Sequence, residues 1–101
     1  MSTASWTFLT NHMHVLVCIA RDPSVTMREV AGHVGITERA VQRIVRDLEE
    51  GGYLVRRREG RRNVYAVQAD RPLRHVVEGG TDLGTLLRVL RAAPSGRLSR
   101  P

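Results

Sequence analysis

Between Thr26 and Gln68 the apolar residues change period once, and that switch limits the folds open to the chain. Up to Glu50 they recur at three- and four-residue steps, the period of an amphipathic helix. After Gly51-Gly52 they alternate, the period of a half-exposed strand. Two start signals lie within the helical part. Thr26-Met27-Arg28-Glu29 spells a capping box, in which the Thr hydroxyl takes the third residue's N–H and the Glu reaches back. It predicts a helix from Met27 to about Val34, with Met27, Val30, Ala31 and Val34 inward and Gly35 as its stop. Thr37 then caps a second helix, and Glu38 places negative charge at its positive end. That helix runs over 38–50 with Val41, Ile44, Val45 and Leu48 on its inner stripe.

The flanks extend the pattern. Leu9, Met13, Leu16 or Val17, and Ala20 recur at helical spacing, thickened by Val15, Cys18 and Ile19, so a first helix is expected over about 9–20. Thr10 or Asn11 caps it, and Asp22-Pro23 ends it, because the residue before a proline is pushed out of the helical region. Trp6 and Phe8, just upstream, are expected to pack onto the core. Beyond the glycines, 53–58 reads as a strand, Glu59-Gly60-Arg61-Arg62 as a turn and 63–68 as the return strand. Pro72 marks an exit, and 73–81 carries no clear period. Thr81 or Asp82 caps a last helix bearing Leu83, Leu86, Leu87 and Leu90. The fold class is therefore mainly α with a small antiparallel β-hairpin. Residues 1–93 read as one domain and 94–101 as a disordered tail.

Charge narrows the function. Of the 101 residues, 16 are basic and 10 acidic, for a net charge of +6. Every basic residue is an arginine, so Schiff-base and P-loop chemistry, which need a lysine, are excluded. Arginine instead forks onto phosphates and guanine edges. The single cysteine, Cys18, allows no intramolecular disulfide and no Cys-rich zinc site, and its place in an apolar stripe reads as a core thiol. His12 and His14 fall about 200° apart on a helix and cannot chelate one ion together. Paired carboxylates, a Ser-His-Asp order and a phosphate cradle are all missing, so neither an enzyme nor a cofactor is expected. The longest apolar run, Val15 to Ala20, is well short of the roughly 20 residues a membrane helix needs, and no leader is visible. The expected setting is the cytoplasm, away from membranes.

Ala31, Gly35, Ile36, Val41 and Ile44 fit the pattern AxxxGIxxxxVxxI. With the stretch VQRIVRDLEEGGYLVRRREGRRNVYAV behind it, the chain resembles winged helix-turn-helix transcriptional regulators of the MarR type over about residues 8–69. The resemblance implies a double-stranded DNA partner, with the helix 38–50 in the major groove and the wing 56–63 in the minor groove. The core of one such small domain is thin, so the first helix and the last helix's leucines are expected to bury apolar faces against a second subunit of a homodimer. Repression at the nucleoid is the expected role, because occluding a promoter needs no activation surface. A small-molecule effector would sit in a cleft near Trp6, Phe8, His12 and the leucines of 83–90.

The candidate contacts follow from the faces. Opposite the apolar stripe of helix 38–50 stand Arg39, Gln42, Arg43 and Arg46. Arg39 and Arg43 suit guanine edges, Gln42 an adenine edge, and Arg46 a phosphate. Thr37 and the amides after it, and Arg28 at the preceding helix start, suit phosphate as well. On the hairpin, Arg56 and Arg58 share one face and Arg57 the other. Arg61 and Arg62 are expected at the tip and Asn63 just past it, where arginine suits a narrow minor groove. Three other readings compete: a solvated helix face with an Arg43–Asp47 ion pair, a winged helix used for protein contacts, and non-specific architectural DNA binding.

Overall fold

A computed structural model describes residues 5–91. The one long apolar run of the sequence becomes the centre of the fold. Helix α1 (Asn11–Arg21) buries Met13 and every residue from Val15 to Ile19. It can bury nearly all round because α2 (Met27–Val34), α3 (Glu38–Glu50), α4 (Leu83–Arg91) and the hairpin's second strand all pack against it. A helix surrounded in this way reads apolar on every side. Cys18 lies in this core, and burial pushes its thiol above the ordinary value against the opposing pull of Arg21.

The two local start signals form as expected. The Glu29 amide donates to the Thr26 hydroxyl at 3.1 Å, and the Thr26 amide donates to the Glu29 carboxylate at 2.9 Å. Helix α2 closes on Gly35 at φ 86°, whose amide donates to the Ala31 carbonyl. A Cβ built on Gly35 would meet nothing within 4 Å, so the requirement there is backbone conformation rather than space. Thr37 caps α3 by accepting from the Ala40 amide at 3.0 Å.

These caps carry a stability prediction. Hydrogen bonds from Thr26 hold the Glu29 carboxyl below its ordinary pKa. A depressed carboxylate stabilises the fold above its unfolded pKa, and that contribution disappears as pH falls through the folded value. Thr26→Ala is expected to lower stability at neutral pH by about 1 kcal/mol. Alanine keeps the Thr26 amide, the larger cause of the depression, so this loss should largely persist on acidification, while the wild-type chain itself loses the Glu29 contribution below the ordinary carboxylate range. Urea melts at neutral and acidic pH check both statements.

Strands β1 (Leu54–Glu59) and β2 (Arg62–Val67) pair antiparallel from Leu54↔Val67 to Glu59↔Arg62. The connection is therefore the two residues Gly60-Arg61, with Gly60 at φ 63° and Arg61 on the negative side. That is the sign pattern of a type II′ hairpin turn, which matches strand twist. The turn expected from sequence, Glu59-Gly60-Arg61-Arg62, is this β-turn, and its outer residues Glu59 and Arg62 also pair as the ends of the two strands. Arg62 closes the turn as the first residue of β2, and Asn63 follows it, paired with Arg58. Near its root the hairpin is held by Leu54 and Tyr65, both buried, and by the Tyr65 amide donating to the Pro23 carbonyl.

Residues 69–82 fold back on the wing root. The Tyr53 hydroxyl donates to the Pro72 carbonyl at 2.6 Å, and Pro72 and Asp82 form an isolated bridge. The stretch without a clear period contains a single 3-10 turn, Val76–Glu78. Asp82 is the residue that caps α4, accepting from the Thr85 amide and hydroxyl. Two expectations are corrected here. Leu83 and Leu87 are buried within the chain, packed with α1 in the one core cluster, and are not left for a second copy. Trp6 and Phe8 do not join that core. They stand 67% and 92% exposed and touch each other edge to face, because they precede the helix and lie outside its inward stripe. The segment 94–101 lies outside the described residues.

Candidate nucleic-acid interface

Helix α3 divides cleanly. Val41, Ile44, Val45 and Leu48 are buried, while Arg39, Gln42, Arg43 and Arg46 are all exposed on the other side. Among the described residues, no carboxylate lies within ion-pairing distance of Arg39, Arg43 or Arg46. The Arg43–Asp47 pair does not form. Asp47 instead accepts from His12 Nε2 at 2.9 Å, because the start of α1 packs beside this turn of α3. The three guanidiniums keep their donors for a ligand. Thr37 is exposed at the helix start, and its hydroxyl leaves the amides of Glu38 and Arg39 outside the helical ladder. Arg28 is exposed at the corresponding end of α2.

The wing arginines are not equivalent. Arg56 Nε lies 3.5 Å from Glu49 on α3, and Arg57 lies 3.7 Å from Glu59. Arg58 Nε donates to the Gly60 carbonyl, which stiffens the turn. Arg62 Nη2 donates at 3.3 Å to the Ser24 carbonyl, so the wing leans on the α1–α2 connection. Arg61 occupies the centre of the turn, and it holds no ion pair among the described residues. Asn63 is exposed in the ladder opposite Arg58. A recess of about 280 Å³ separates Arg61, Arg62 and Asn63 from the start of α2. Thr26 and Met27 at the start of α2 thus face Arg61, Arg62 and Asn63 of the wing across one recess.

Sequence reasoning found the exposed face of α3 but missed the connectors His12, Asp47 and Glu49. Their partners lie on other elements, and only packing brings them together. A recess of about 1160 Å³ opens between β2 and α4 with Leu87 in its wall, and a smaller one of about 400 Å³ lies beside His12.

Three helices, the second and third joined through Gly35-Ile36-Thr37, followed by a two-stranded hairpin, define a winged helix-turn-helix. The family described as winged helix-turn-helix DNA-binding matches residues 9–55, from just before α1 to the start of β1. Among curated proteins, none matches the chain. The match covers the helix-turn-helix and the root of the wing, and it supports DNA as the partner. No described helix is long and apolar enough to cross a membrane.

Proposed function

We propose that the protein is a sequence-specific double-stranded DNA-binding regulator of transcription, similar to MarR-type repressors and acting as a homodimer. One observation carries this reading. Arg39, Gln42, Arg43 and Arg46 stand exposed together on a helix within the matched DNA-binding segment, and the three arginines have no carboxylate to neutralise them.

In this reading α3 enters the major groove, which admits a helix and displays a distinct pattern for each base pair. Arg39 and Arg43, one turn apart, take guanine edges, and Gln42 takes an adenine edge. Arg46, Thr37 and Arg28 bind phosphate. Arg61 enters the minor groove from the wing turn, while Arg58, Arg62 and Asn63 line the backbone on either side. Repression follows from occlusion: a body of 36 × 34 × 24 Å spans about one turn of duplex. Among the described residues, the large apolar side chains left exposed for a second copy are Trp6, Phe8, Val55, Val76, Val77 and Val89. The working location is then the nucleoid, in the cytoplasm.

Selection from a random duplex pool tests specificity and symmetry together. The expected result is a near-palindrome whose half-sites are centred about 34 Å apart. Strong binding without an enriched motif would instead support an architectural role. No retained duplex at low salt would overturn the DNA reading in favour of a protein partner.

A further inference from the structure

We infer that Glu49 and Arg56 are positioning residues that hold the wing at a fixed angle to α3, so that Arg61 and the α3 arginines engage one duplex together. This rests on the DNA-binding reading above. Within β1 only Leu54 is buried, and every residue from Val55 to Glu59 is exposed. The hairpin therefore projects from its root. Glu49, in the last turn of α3 and 25% exposed at its side chain, reaches Arg56 across the junction. Arg56 lies opposite Tyr65 in the ladder, and Tyr65 is buried against the body. The three residues tie α3, β1 and β2 together at one point.

Geometry makes that point matter. The turn lies four to five residues beyond Arg56, or about 15 Å at strand rise. A tilt of about 15° at the root would carry the tip roughly 4 Å, whereas a hydrogen bond tolerates only tenths of an ångström. The Arg62–Ser24 contact braces the wing against the α1–α2 connection but does not reach α3. Glu49–Arg56 is the ion pair between α3 and the wing among the described residues.

The inference has a distinctive sign. Removing the negative charge of Glu49 should by itself favour a polyanion, so affinity alone would mislead. The informative quantity is what Arg61 contributes in each background. In the wild-type chain, Arg61→Ala should weaken binding to the selected duplex about tenfold, the effect of one charge-assisted contact. In a Glu49→Gln chain the same change should weaken it less than about threefold, because the tip no longer sits in register. Arg56→Met should reduce the Arg61 effect in the same way. Thermal melts of the single variants should stay near wild type, since exposed pairs stabilise little. An equal Arg61 effect in all three backgrounds overturns the positioning role while leaving DNA binding intact. If Arg61→Ala has no effect in the wild-type chain, the wing does not engage DNA and the inference fails. A wild-type chain that binds no duplex overturns the DNA-binding reading itself.

Discussion

Arg43→Ala is expected to lower affinity for the selected duplex by roughly 5- to 150-fold, the size of one bidentate base contact. It should also relax the preference at a single base pair. The reason is positional. Arg43 lies in the middle of the exposed face of α3, one turn from Arg39 and beside Gln42, and Asp47 is engaged by His12 rather than by Arg43. Arg46→Ala should behave differently, weakening all duplexes alike and reducing the salt slope by about one. The two variants separate base reading from phosphate contact. Competition against single-base-pair substitutions of the duplex makes the measurement. Equal, sequence-independent losses for both would mean that α3 touches only the backbone.

Leu83→Ala carries the second large effect. Leu83 is 1% exposed and sits at the start of α4 against α1. Deleting its three distal carbons from a packed core should lower stability by about 2–5 kcal/mol. The loss should be the same at low and high protein concentration, because the cavity forms inside one chain. A loss that shrank with concentration would put Leu83 at a seam between copies, and the in-chain packing of α4 would be wrong. Circular dichroism of urea melts, at concentrations tenfold or more apart, decides between them.

The parts legible in the sequence are those set by neighbours in the chain. Thr26, Glu29, Gly35 and Thr37 act over three or four residues, so the bounds of α2 and α3 could be read directly. The inner stripe of α3 was equally plain, and with it the outer face of Arg39, Gln42, Arg43 and Arg46. The hairpin shows where local reading loses resolution. RRREGRR does not state which two residues turn, and only Gly60 tolerates positive φ without strain, which selects Gly60-Arg61.

Elsewhere apolarity proved a poor guide to the surface that buries it. The leucines of α4 show that a face is apolar, but not that α1 of the same chain covers it. Trp6 and Phe8 are large and apolar yet precede the helix whose periodicity would have turned them inward. The pairs His12–Asp47 and Glu49–Arg56 join separate elements, so no spacing rule marks them.

The central claim is sequence-specific recognition of duplex DNA by α3 and the wing. Fluorescence anisotropy of the selected duplex and of a scrambled duplex, each over a salt series, tests it most directly. At 6–10 phosphate contacts per dimer, affinity should fall about 10³- to 10⁵-fold between 50 and 200 mM salt. Throughout the series the selected duplex should bind at least about a hundredfold more tightly than the scrambled one. A steep slope with equal affinities would contradict specific reading, and a flat slope with no binding would contradict DNA as the partner.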